Sequence, residues 1–151
     1  MGNTFDFGDL ITVGSGKGVA STTRGVFSMQ TPSAGKALDY VTIASTGNAV
    51  DFGDLITVGS GKGVASTTRG IFSIQVPSAG KALDYVTIAS TGNAVDFGDL
   101  ITNNLTGGAA AYSSLTRGVF AGIKTPSNTD TIEFITMATL GDATDFGGDL
   151  T

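Results

Sequence analysis

The chain is expected to be an all-β protein of tandem four-stranded antiparallel units, on three observations. Residues 6–50 and 51–95 are each 45 residues long and differ only at Val26/Ile71, Met29/Ile74 and Thr31/Val76. A longer, more divergent third copy runs over 96–144, and the opening motif starts again at Asp145. The 23 glycines, set against three prolines and many Thr, Val, Ile and Phe, suit short strands and tight turns, and Gly or Thr interrupts every possible helical stretch. A period of about 40–50 residues marks an array in which each unit buries its apolar face on the next. The whole chain, 1–151, is therefore read as one repeat domain with units at about 6–50, 51–95 and 96–144 and a partial unit at 145–151.

Each unit divides into four strands, in the first copy Gly18–Thr22, Gly25–Thr31, Ala37–Ser45 and Ala49–Leu55. Pro32-Ser33-Ala34-Gly35 has the chemistry of a turn or short loop between the second and third strands. Thr46-Gly47-Asn48 is a hairpin signal between the third and fourth. Val13-Gly14-Ser15-Gly16-Lys17 reads as an exposed linker. In the third strand, Leu38, Tyr40, Thr42 and Ala44 share one face, and Asp39, Val41 and Ile43 the other. Both faces are largely apolar, so this strand should be covered on both sides. The third copy adds three residues in the linker, within 103–114, and one between Arg117 and Pro126, leaving the strands at their length.

Composition narrows the chemistry. Cysteine, histidine and tryptophan are absent, which removes disulfides, thiolate nucleophiles and imidazole ligands or bases. A net charge of −5 without a basic stripe argues against nucleic acid as a partner. A mean hydropathy of +0.23 favours burying further surface in an assembly. No apolar run has the length of a membrane span, so no membrane insertion is expected. Met1–Asp6 lacks the charged start and apolar run of a secretory leader. The single sequon, Asn104-Leu105-Thr106, is within what chance supplies.

The motifs read as structural. Asp-Phe-Gly resembles the kinase magnesium triplet but recurs four times without a catalytic loop or lysine strand. It is expected to be a strand or strand end, with Phe7, Phe52, Phe97 and Phe146 inserted between units. Gly14–Gly18 lacks the Lys-Ser/Thr and following helix of a phosphate loop. The spaced pairs Asp6/Asp9 and Asp51/Asp54 lack the dense acidic loop of a calcium site. No metal, cofactor or catalytic residue is assigned. Arg24, Arg69 and Arg117 recur in Thr-Arg-Gly. They are expected to be structural, each bridging to Asp51, Asp96 or Asp145, or to backbone carbonyls, at a unit junction. Were such an ion pair buried, Arg69→Ala would cost about 3–5 kcal/mol. The competing reading is an anionic or glycan ligand contacted once per repeat.

Thr-Arg-Gly-Val-Phe, followed by Leu-Asp-Tyr-Val-Thr-Ile-Ala-Ser-Thr-Gly-Asn-Ala-Val-Asp-Phe-Gly-Asp-Leu, resembles the kelch-like repeats of structural proteins in marine bacteriophages, particularly cyanophages. The resemblance covers nearly the whole chain and is most specific over Tyr40–Leu55 and its copies. It implies a β-propeller blade per repeat, with Arg24–Met29, Leu38–Ser45 and Ala49–Leu55 as second, third and fourth strands. Phe52 would stand where kelch repeats carry tryptophan. The chain departs from the pattern after the second strand, where Ser28-Met29, Ser73-Ile74 and Ala121-Gly122 replace a glycine pair. Three blades fall short of the roughly four to eight of a closed ring. Two chains could supply six, or three units could close as a β-trefoil or another threefold β fold.

The expected function is a non-enzymatic virion protein, a capsid or tail surface decoration or fibre at the particle surface, partnered by copies of itself and other virion proteins. The alternative is a multivalent lectin-like module binding host surface glycans, with Tyr40, Tyr85 and Tyr112 as stacking platforms. A third reading, an isolated or engineered repeat fragment, also suits the near-identity of the first two copies.

Overall fold

The computed structural model describes residues 4–30, 35–59, 61–76, 80–103, 110–123, 127 and 129–148. Among them it contains twelve strands and no helix. The first sheet comprises β1 (Ser15–Ala20), β2 (Arg24–Gln30), β3 (Ala37–Thr42) and β4 (Val50–Asp54). The second comprises β5 (Gly63–Ala65), β6 (Arg69–Ser73), β7 (Ala82–Thr87) and β8 (Val95–Asp99). The third comprises β9 (Ala110–Ser113), β10 (Arg117–Ala121), β11 (Ile132–Thr136) and β12 (Thr144–Asp145). Within each sheet the strands lie in sequence order and pair antiparallel.

The all-β, four-strands-per-unit expectation holds, with shifts at the edges. Ser15–Lys17 was expected in a linker but pairs with Ser28–Gln30 as part of β1. In the second copy the same Gly-Lys, Gly61 and Lys62, stays outside β5, so the longer first strand belongs to the first sheet alone. The third strand stops at Thr42, three residues early, where the chain turns toward Thr46-Gly47-Asn48. The Pro32–Gly35 turn falls mainly, and the 104–106 sequon wholly, outside the described residues.

Two cores hold the sheets together, each shared between neighbours. The first sheet contributes Val19, Val26, Leu38, Phe52 and Leu55, which meet Phe72, Ile74, Val86, Ile88 and Ala94 of the second. The other face of the second sheet contributes Val64, Ile71, Leu83, Phe97 and Leu100, against Phe120, Ile123, Ile135, Met137 and Ala143 of the third. The middle sheet is thus covered on both faces, as the apolar doubling of its sequence requires. A bulge aims Phe52 into the core: Leu38 pairs with Gly53 but Asp39 with Asp51, which leaves Phe52 as the extra residue. The same irregularity recurs between Leu83 and Asp84 and serves Phe97. Phe52 and Phe97 are each 1% exposed.

Glycine lets the sheets close on one another. Val19 seats its methyls against Gly63 and Gly70, and a Cβ on Gly63 would lie 2.6 Å from one of them. Val64 repeats the contact on Gly118, where an added Cβ would lie 2.8 Å away. A second close approach joins backbones. Gly53, at φ +140°, lies under the Gly92 carbonyl, and Gly98, at +141°, lies under that of Gly141. Gly53→Ala is expected to cost on the order of 3 kcal/mol or more, because it combines a disfavoured φ with a collision against backbone. The midpoint of chemical denaturation measures it.

Candidate functional site

With neither histidine nor cysteine, the recurring polar side chains are the ones to follow, and Arg24, Arg69, Tyr40 and Tyr85 lie at the junctions between sheets. Arg24, at the start of β2, lies 4.6 Å from the Tyr40 ring centre and donates from Nη1 to the carbonyls of Ala89 at 2.9 Å and Ile88 at 3.3 Å on the next sheet. Arg69 lies 5.2 Å from the Tyr85 ring and donates to the Met137 carbonyl at 3.0 Å. Tyr40 and Tyr85 in turn meet Phe52 and Phe97 edge-on, at 5.8 and 6.0 Å. A chain of guanidinium, phenol and phenyl groups thus runs along one sheet from the carbonyls of its neighbour into the core of that same junction.

Of the two structural partners the sequence offered for these arginines, the geometry selects the backbone carbonyls. Among the described residues no ion pair joins Arg24, Arg69 or Arg117 to Asp51, Asp96 or Asp145. Arg24 is level with Thr42, whereas Asp51 is level with Asp39, one strand further out and three residues along. Asp51, Asp96 and Asp145 are exposed on β4, β8 and β12, and Asp145 accepts from the Gly147 N–H at 2.9 Å. The cost of Arg69→Ala follows from these contacts. It is expected to be about 1–3 kcal/mol, from a half-buried charged hydrogen bond and a ring contact, read by urea denaturation.

The acids that matter most are others. Asp39, Asp84 and Glu133 are 1%, 2% and 2% exposed. Each receives the linker entering its sheet. Asp39 accepts from the Thr12 N–H at 2.9 Å. Asp84 accepts from the Ile56 and Thr57 N–H groups at 2.9 and 3.3 Å, through one oxygen. Glu133 takes one N–H on each oxygen, from Ile101 and Thr102, both at 2.8 Å. Sequence reading placed Asp39 on a face with Val41 and Ile43 and gave it no role. The available signal was a carboxylate held in an otherwise apolar strand through all three copies, including the change from Asp to Glu.

Burial pushes the Asp84 carboxyl above its ordinary value near 3.8, and Asp96 adds to the rise. Hydrogen bonds from Thr57 and Ile56 and the charge of Lys36 oppose it. The folded chain therefore holds this proton more tightly than the unfolded chain. The group's contribution to stability falls as pH rises from about 3.8 through the raised value. Asp84→Asn removes that titration. The stability of the wild type minus that of the variant is expected to decline across this window and level off above it, as followed by denaturation at stepped pH.

The terminal copies of the opening motif differ from the inner two. The Gly47 and Ala49 N–H groups bond to the carbonyls of Phe7 and Asp9, both at 2.8 Å, as Gly92 and Ala94 bond to Phe52 and Asp54. Asn48 accepts from the Asp9 N–H at 3.0 Å, as Asn93 does from Asp54. Yet Phe7 is 40% exposed and Phe146 is 49% exposed. The expectation that all four phenylalanines insert between units fails at these two, which lack a sheet on one side. Phe146 meets the Phe134 ring edge-on, at 5.9 Å. Beside Phe7 and Leu10, on the outer face of the first sheet, lies an open apolar groove of about 540 Å³ floored by Gly18, Gly25, Phe27, Val41 and Ile43.

Among the described residues no helix is long and apolar enough to cross a membrane. No group of three acids able to hold a metal occurs among the described residues. No protein-family model matches the chain, and no curated protein matches it.

Proposed function

We propose that the chain is a non-enzymatic structural protein of a bacteriophage particle, a surface decoration or fibre on capsid or tail that assembles with copies of itself and other virion proteins. The repeat resemblance supplies the virion. The observation that supports a scaffold is the single junction chemistry used twice along the chain: valine on glycine, arginine on carbonyl, and a buried acid on the incoming linker. A propeller-type array is favoured over a trefoil, because each unit completes its own four-stranded sheet and packs face to face with the next. In a trefoil, strands of different units would share a barrel.

The lectin-like reading has one favourable residue. Tyr112 is 73% exposed, whereas the rings of Tyr40 and Tyr85 are occupied by Arg24 and Arg69. Mass spectrometry of purified virions is expected to recover the chain in stoichiometric amount. Its absence from intact particles, together with saturable binding of the isolated protein on a glycan array, would replace the virion reading with the lectin one.

A further inference from the structure

The two ends of the array are unlike, and each lacks what the other offers. On the outer face of the first sheet, Gly18 and Gly25 correspond to Gly63 and Gly70, but no valine is seated there. A Cβ on either would find only ordinary contacts, at 3.5–3.6 Å. Ile43, the counterpart of the fully buried Ile88, is 44% exposed. On the far face of the third sheet, Tyr112 stands at the position of Val19 and Val64, projecting into solvent at 73% exposure against their 5% and 2%. Arg117 stacks on Phe134 at 4.7 Å, as its siblings stack on tyrosine, but its guanidinium reaches no carbonyl among the described residues and is exposed.

We propose that a second copy of this chain occupies the groove: the third sheet of one molecule docks on the first sheet of another, repeating the junction already present twice within the chain. Tyr112 enters the Gly18/Gly25 groove, and Arg117 donates to the carbonyls of Ile43 and Ala44, the counterparts of Ile88 and Ala89. The occupant is specified by continuity, since the interface needed at each end is the partner surface displayed at the other. Such a contact is head-to-tail. Two copies would bring six sheets together, within the roughly four to eight that close a ring. This deepens the assembly part of the reading above and does not depend on the virion.

The junction also decides between two competing strands. Asp6–Leu10 already lies against the Gly47 hairpin where the outer strand of a docking sheet belongs, held as β4 is held against Gly92. In the neighbour that place falls to β12, which makes two register pairs, Glu133–Asp145 and Phe134–Thr144, with one further bond from the Phe146 N–H to the Ile132 carbonyl. Asp6–Leu10 is tied across the junction itself, to Gly47, Asn48 and Ala49, whereas β12 is a sheet edge with no sheet behind it. Asp6–Leu10 therefore stays and becomes the outer strand of the neighbour's third sheet, displacing Thr144–Asp145.

Sedimentation of the full chain over a concentration series tests this, alongside Gly25→Ala, Arg117→Ala and Asp145→Pro. The wild type is expected to associate, as a particle of two copies if the ring closes and as longer species if it does not. Gly25→Ala fits the isolated chain but meets Tyr112 at the junction, so it should weaken association at least about tenfold while leaving the denaturation midpoint of the dissociated chain unchanged. Arg117→Ala should weaken it as well. Asp145→Pro, which unpairs β12, should leave association intact or strengthen it. A wild type that stays monomeric to about 100 μM, or Gly25→Ala and Arg117→Ala proteins that associate like wild type, overturns the docking. Weakening by Asp145→Pro overturns the strand exchange. A monomer would leave the virion reading to be judged by particle composition.

Discussion

The structure depends on a face of one small sheet meeting the opposite face of the next with nothing between them. A four-stranded sheet with apolar side chains on both faces cannot bury them by itself, and strands of two to seven residues give it no other way to do so. Packing of sheet on sheet supplies the burial. The β-branched Val19 and Val64, stiff at χ1, can approach closely only because glycine faces them. Glycine weakens a strand taken alone, so these positions trade local propensity for a closer junction.

Polar groups set where along the strands this packing locks. Apolar faces could slide; hydrogen bonds to fixed backbone atoms cannot. Each incoming linker is gripped by a buried carboxylate, the hairpin loops of the second and third sheets are bound to the outer strand of the preceding sheet, and Arg24 and Arg69 reach across to carbonyls beyond the third strand. Linker N–H groups buried at a junction would be costly if unpaired, and Asp39, Asp84 and Glu133 satisfy them. The energetic asymmetry of Asp84 follows: its burial raises the proton affinity that its hydrogen bonds work to lower.

The third copy shows how far the junction tolerates change. Glu133 reaches two N–H groups with separate oxygens where Asp84 uses one, Phe134 replaces tyrosine beneath the arginine, and Ala111 stands in place of Gly63 while Gly118 is retained. The changes fall on both faces: Ala111 and Glu133 lie at the junction with the second sheet, whereas Tyr112 and Phe134 lie on the surface that faces no further sheet of the chain. The interior junction keeps the seat of Val64 on Gly118 and the grip of a buried carboxylate on the incoming linker.

The sequence by itself determined the repeat, the strand content, the number of strands in each unit and the doubling of apolar faces, because glycine spacing and period-two alternation are local properties of a chain. It also marked Arg24 and Arg69 as structural and offered carbonyls among their partners, while Arg117, in the same motif, reaches none among the described residues. The tertiary structure alone decided between carbonyl and carboxylate, because that choice turns on the level at which Arg24 and Asp51 stand on strands two apart. It alone gave Asp39, Asp84 and Glu133 their role, since their partners lie 27 to 32 residues away in the chain. And it separated Phe52 and Phe97 from Phe7 and Phe146, identical in local sequence context through Asp-Phe-Gly, because burial depends on whether a neighbouring sheet is present on the other side.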